Sequence, residues 1–126
     1  MTVAESVKSL NIAQEARDGA VIVYVSGEVD TGTVQRLAAA LQAATADALA
    51  HPSRALVVEL NEATYFGSAG LNALLDSVET GGGRGVTVRV VAANAEVTRP
   101  IEVTKLDDVL RPYPTVADAL ASSEGL

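Results

Sequence analysis

Cysteine and tryptophan are absent from this 126-residue sequence, and histidine occurs once, as His51. Without cysteine there is no disulfide framework and no thiolate ligand, so the composition suits a reducing cytoplasm. A structural zinc site takes about four nitrogen or sulfur ligands, and one histidine cannot supply them. A histidine-based catalytic triad would have to recruit His51, which stands before Pro52 and reads as an exposed loop residue. Basic residues are scarce too. Nine Lys and Arg against sixteen Asp and Glu leave a net charge of −7, and the basic residues are scattered singly. Nucleic-acid binding relies on a clustered positive face against phosphates, so that partner class is excluded. No apolar run approaches the ~20 residues that span a bilayer. The stretch 1–10 carries Glu5, Ser6, Lys8 and Ser9 and is not patterned as a secretory signal.

What the chain does have is small aliphatic residues. Forty-eight per cent of it is apolar, with 22 Ala, 18 Val and 13 Leu against one Phe. The length fits one domain over 1–126, with a core region of about 8–121. A chain of this size buries roughly two-thirds of its unfolded surface, enough for one core without staples.

Hydrophobic period supplies the elements. Leu10, Ile12 and Gln14 mark a weak strand, and Ala20 to Val25 a stronger β-branched one. Between them Asp18-Gly19 is a hairpin signal, with Gly expected at positive φ. After Gly27-Glu28-Val29-Asp30 the period changes. Val34, Leu37, Ala38, Leu41, Ala44 or Thr45, and Ala48 lie on one helical face. Thr31 or Thr33 is placed to cap that helix, and His51-Pro52 ends it. Ala55 to Leu60 is nearly all apolar, as in a strand covered on both faces, and Asn61 to Phe66 reads as a loop. Leu71, Leu74, Leu75 and Val78 mark a second helix, broken by Gly81-Gly82-Gly83-Arg84-Gly85. Val86, Val88 and Val90 alternate as a further strand. Asn94 is placed to cap a third helix through Val97, Ile101 and Leu106, with Pro100 inside it as a source of a kink. Pro112-Tyr113-Pro114 reads as an extended link, with a short strand near Leu110, and Thr115-x-x-Asp118 resembles a capping box opening a last helix. The expected fold is α/β: a small mixed sheet of four to five strands with about four helices packed on it.

One segment offers chemistry. Tyr65-Phe66-Gly67-Ser68-Ala69-Gly70-Leu71 joins a strand region to a helix start, and three of its residues have almost no side chain, so another backbone can approach closely. Ser68 falls at the N-cap or in the first turn, where a hydroxyl serves as a cap or as a phosphoryl acceptor, and both can hold at once. A nucleophile elbow is excluded: it wants Gly two residues before the serine, where Phe66 stands, and the only histidine precedes Ser68. The glycine run 81–85 is no phosphate loop, since it precedes a strand and lacks the Gly-Lys-Ser/Thr ending. Asp30 ends a strand beside a helix start and is expected to share a surface with Ser68.

Taken together, these residues resemble the STAS domain of bacterial anti-sigma factor antagonists. Gly27-Glu28-Val29-Asp30 with Thr33 and Leu37 matches the family's entry to its first helix. Leu56–Leu60 followed by Ser68-x-Gly70-Leu71 matches the entry to its second. Gly85-Val86, Asn94, Val97, Leu106 to Leu110 and Tyr113 to Leu120 follow in the family's order. The resemblance implies a non-enzymatic protein without cofactor. It would bind an anti-sigma factor, often itself a serine kinase, and so free a sigma factor, working in the cytoplasm as a monomer or weak dimer. The implied contact face is Asp30, Thr31, Thr33, Gly67, Ser68, Ala69, Asn72, and the turn at Asn94 and Thr98. In such proteins the kinase modifies a hydroxyl at the start of helix two, and the modification blocks binding. A phosphoserine adds about −1.5 to −2 charges and three acceptors to a close-packed interface. The family pattern commonly reads acidic-Ser-Ser/Thr-Gly-Leu, with the second hydroxyl accepting the phosphate. Here Gly67 replaces the acid and Ala69 stands at the acceptor position, so the switch is either lost or moved to Ser68. A different reading, a sensor of the same fold binding a nucleotide or small apolar ligand between sheet and helices, stays open at this point.

Overall fold

The β-branched stretches form one sheet. A computed structural model describes residues 10–124. β1 (Leu10–Ala16) and β2 (Val21–Val29) make the hairpin, α1 (Val34–Leu49) follows, then β3 (Ala55–Phe66), α2 (Ser68–Gly83) and β4 (Thr87–Val91). The chain closes with α3 (Ala95–Val103), a single turn α4 (Asp107–Leu110) and α5 (Val116–Glu124). The sheet order is β1-β2-β3-β4, with β1 antiparallel to β2 and the other neighbours parallel, as crossover helices require.

Period-two alternation sorts the strand residues onto two cores. Val21, Val23 and Val25 of β2 and Leu56, Val58 and Leu60 of β3 face α1, α2 and α3, meeting Leu37, Leu41, Leu71, Leu74, Val97 and Ile101. The intervening Ile22, Ala55 and Val57 face the other way and are covered by Ala119 of α5, with Tyr113, Val116 and Leu120 around it. Three helices therefore lie on one side and α5 on the other.

Several expectations are corrected. The hairpin pairs as foreseen, from Leu10↔Gly27 to Ala16↔Val21, but Gly19 does not take positive φ; Arg17 N–H bonds Ala20 C=O across the turn instead. The segment Asn61–Phe66 is not a loop. β3 continues through it, because bulges at Tyr24/Ser26 and Gly27/Glu28, the latter with Gly27 at φ 99°, let β2 bend and keep pairing to Val29↔Phe66. The glycine run does not break α2 at Gly81. A β-carbon there would lie 2.9 Å from Val88 Cγ2, so glycine lets the last helical turns close down on β4. The true stop is Gly85 at φ 89°, where Val86 N–H bonds Gly81 C=O and Gly85 N–H bonds Gly82 C=O, a Schellman ending. Leu106 lies past the end of α3, and Leu110 is in α4, not a strand; the extended contact falls at Tyr113, bridged to Val91. His51 is half-buried: Nδ1 accepts from Ser53 N–H, and Nε2 lies 2.7 Å from Arg17 C=O, pinning the hairpin to the end of α1. Thr115 caps α5 as expected, its hydroxyl accepting Asp118 N–H at 3.0 Å.

Candidate functional site

β2 and β3 end side by side. Gly67 N–H donates to Val29 C=O at 3.1 Å, which joins the chain leaving β3 to the chain leaving β2. The residues after Val29 and those after Phe66 therefore form one corner, where α1 and α2 begin.

Asp30 organises the first half. Its carboxylate accepts from Gly32 N–H at 2.8 Å and Thr33 N–H at 3.1 Å. Neither Thr31 nor Thr33 caps α1 with its hydroxyl; the Asp30 carboxylate closes the turn that leads into the helix, and its backbone C=O accepts the first helical N–H, that of Val34, at 2.9 Å. Thr33 is 4% exposed, with its hydroxyl donating to Glu28 C=O and accepting from Asp30 N–H. It is an internal strut and lies outside any accessible face. Thr31 is exposed.

Glycines organise the second half. At Gly70 a β-carbon would sit 2.9 Å from the Phe66 ring and 2.9 Å from Val29 Cγ1, so only glycine lets α2 start this close to the sheet. Gly67 is the N-cap and has no side chain to offer, leaving the first turn of α2 without a side-chain cap. Ser68 is the first helical residue, and its side chain is exposed. Asn72, one turn on, is exposed as well, while Ala69 is half-buried and Gly70 buried.

Tyr65 was not among the expected contact residues. It is 53% exposed, and its hydroxyl lies 3.0 Å from where a β-carbon on residue 67 would stand. The ring lies over the glycine. An aromatic two residues before a side-chain-free position was the available signal, masked by reading 61–66 as a loop.

Asn94 and Thr98 belong to a neighbouring spot. β4 stops at Val91, level with Glu59, so α3 starts beside the middle of β3. Asn94 does not cap α3 with its side chain; its amide donates to Leu60 C=O at 3.1 Å and Ala63 C=O at 2.8 Å. Asn61 answers from β3, accepting Ala93 N–H at 2.6 Å and donating to Pro114 C=O. These amides lock the strand extension that carries the corner. Thr98 is half-buried on α3.

The shifted titrating groups lie elsewhere, along β1, β2 and β3. Glu15 is held below the usual carboxylate range by the Tyr24 hydroxyl and the Arg17 guanidinium, and Tyr24 is raised by the same bond to Glu15. Burial pushes Glu59 up. None of these faces Ser68 in a way that would make it a nucleophile.

A strand-to-helix corner stripped of side chains, held against the end of β2, matches a known architecture. The family model of the STAS domain covers residues 11–119. The chain belongs to the STAS domain family. Among STAS relatives, the anti-sigma-F factor antagonist RsfB of Mycobacterium tuberculosis is 32% identical over 117 residues, covering 93% of this chain and 92% of its own. An anti-sigma factor antagonist from Mycobacterium paratuberculosis superposes with a TM-score of 0.82 at 36% identity, covering 92% of this chain and 95% of that one. The unphosphorylated anti-sigma factor antagonist SpoIIAA shares the fold alone, with a TM-score of 0.71 at 13% identity. Among the described residues of this STAS domain, no helix is long and apolar enough to cross a membrane.

Proposed function

We propose that this STAS domain is an anti-sigma factor antagonist. It binds an anti-sigma factor through the corner of Thr31, Tyr65, Gly67, Ser68, Ala69 and Asn72 and so releases a sigma factor in the cytoplasm. Asp30 and Asn94 hold that face in shape from behind. The observation that carries the reading is the start of α2, where Ser68 and Asn72 are exposed beside Tyr65 and the first turn has no side-chain cap, which leaves helix N–H groups for a second protein to meet. Two mycobacterial relatives named as anti-sigma factor antagonists, each matched over more than nine-tenths of both chains, support it.

Control by phosphorylation is altered. Ala69 has no hydroxyl, so a kinase that modifies the residue before the glycine finds no acceptor there. Ser68 is the exposed hydroxyl of this turn and the only acceptor at the helix start. Unless Ser68 takes the phosphate, the protein binds its partner without this control. The chain acts as a monomer or weak dimer, with the anti-sigma factor as its partner.

Co-purification with a candidate anti-sigma factor tests the interface. Ser68→Glu puts a charge into the close-packed contact and is expected to weaken binding at least tenfold, about 1.4 kcal/mol. Equal binding by both proteins removes Ser68 from the interface. Incubation with the cognate kinase and ATP, read by intact mass, then decides the control: an added phosphate on Ser68 restores a switch, and an unchanged mass leaves binding unregulated.

A further inference from the structure

β1 is an edge strand whose outer side carries no guard. It runs over Leu10–Ala16, pairs with β2 without a bulge, and contains neither proline nor lysine. The turn after it fixes which backbone groups point outward. Arg17 N–H bonds Ala20 C=O, so Arg17 and Ala20 form a hydrogen-bonded pair, and antiparallel alternation places Ala16, Gln14, Ile12 and Leu10 in the non-bonded pairs. Their N–H and C=O groups therefore face away from β2. Leu10 agrees with that phase, since its C=O accepts from the Arg36 guanidinium at 2.6 Å. Ile12 and Gln14 have no such cover, and their outward N–H and C=O groups meet no hydrogen-bond partner among the described residues.

α1 frames this edge. Arg36, Ala40, Ala43 and Asp47 fall on one helical face, at i, i+4, i+7 and i+11. Arg36 reaches Leu10, and the Asp47 carboxylate accepts from the Gln14 amide at 2.7 Å, so that face overhangs β1. Neither Arg36 nor Asp47 has an ion-pair partner among the described residues. We propose that β1 pairs antiparallel with β1 of a second copy of this chain, joining two four-stranded sheets into one. A two-fold axis at Ala13 lets Ile12 exchange both its bonds with Gln14 of the partner subunit, and Gln14 with the partner's Ile12. The two alanines meet on the axis, where non-bonded pairing brings Cα atoms to about 4.5 Å. Asn11 then stands opposite the partner's Glu15, so no acid faces an acid. The same axis lies within one residue of the midpoint between Leu10 and Gln14, the two ties to α1. It therefore sets the two α1 helices head to tail, with Arg36 toward the partner's Asp47 and the reverse. Charge complementarity thus selects a second copy in this register; an axis at Gln14 would bring Asp47 toward the partner's Asp47. Ala40 and Ala43, between the charges, leave room for the helices to approach to about 8–10 Å. β2 separates this edge from β3 and the start of α2, so each copy keeps its corner, and the proposal is independent of the partner-binding reading.

An interface built on one strand pair falls at the small end of the known range, under about 1,200 Å², so the dimer is weak and forms between about 10 µM and 1 mM. Sedimentation velocity of the full chain over that range is the test, and the expected result is a coefficient that climbs from the monomer to the dimer value. Ala13→Lys puts two like charges on the axis, and Gln14→Pro removes an outward N–H. Both positions are exposed on the edge, and each variant should dimerise at least tenfold more weakly while keeping a cooperative thermal melt. Arg36→Asp and Asp47→Arg should each weaken the dimer at least tenfold, and the double exchange should restore it. A monomer at every concentration overturns the proposal and leaves the edge to a strand from another protein. A dimer that ignores Ala13→Lys and Gln14→Pro overturns it as well, because its contact lies elsewhere. A dimer indifferent to the charge exchange overturns the register.

Discussion

Two glycines in the same helix answer opposite needs. At Gly70 an added methyl would press into Phe66 and Val29, which are 2% and 0% exposed and have nowhere to go. Overpacking of that kind costs about 1–3 kcal/mol, more than the helix-propensity gain of about 1 kcal/mol. Gly70→Ala is therefore expected to lower stability and to displace the start of α2. At Gly82 a β-carbon would meet nothing within 4 Å, so Gly82→Ala should raise stability by about 0.5–1 kcal/mol. Paired urea melts of the two variants check both signs. Glu59 makes a second residue-scale case. It pairs in register with Tyr24, and burial, with the Glu62 charge adding to it, raises its carboxyl above the ordinary value against the bonds from Asn61. A carboxyl raised on folding holds its proton better in the native state. Its contribution is then most favourable below the unfolded-state value and is lost as pH rises through the native one. Glu59→Gln should melt higher than the parent at pH 7 and lose that advantage near pH 4. An advantage that is larger at pH 4 would reverse the sign and discard the burial argument.

Element ends obey local chemistry closely enough to predict. α2 and α3 finish with the same Schellman bonds: Leu106 N–H to Ile101 C=O and Lys105 N–H to Glu102 C=O repeat the pattern around Gly85. The left-handed position holds glycine in one and Lys105, at φ 61°, in the other. A side chain there costs about 1–2 kcal/mol. Gly85→Ala should lower the melting temperature by roughly 3–5 °C, while Lys105→Gly should hold or raise it. The same contrast separates what could be read from the sequence. Valine alternation and the α1 period are set by residues that also pack, so the hairpin, α1, β4 and the Thr115 cap are visible in the string. The rest depends on contacts made from elsewhere. Asn61–Phe66 reads as a loop until bulges in β2 keep it paired, and Gly81 reads as a breaker until β4 closes on it. The corner itself was legible as a run of small residues; Asp30 as the acid that closes the turn before α1, Thr33 as a buried strut and Tyr65 as the exposed ring were not. Each of those depends on which way a side chain turns, and spacing does not fix that.

At the scale of the molecule, charge decides how a partner arrives. The chain carries −7, and two of its acids, Glu28 (in register with Tyr65) and Asp30, lie at the corner. The face itself is small and uncharged at Gly67–Gly70. Long-range attraction and short-range fit are thus assigned to different residues. A partner that docks here should bring a basic surface around an apolar contact, and the acidic surround should act on encounter, while the corner governs dissociation. Electrostatic steering raises association rates by about 10–10³, and salt removes it. Stopped-flow or surface-binding kinetics with a candidate anti-sigma factor should show the association rate falling at least tenfold between about 0.05 and 0.5 M NaCl, where the screening length shrinks from above 10 Å to under 5 Å. The dissociation rate should change little over that range. Ser68→Glu should do the reverse, raising dissociation while leaving the salt slope of association nearly intact. An association rate indifferent to salt would mean that the acidic flank plays no part in recognition, and the search for the docking surface would move off the α1 side of the corner.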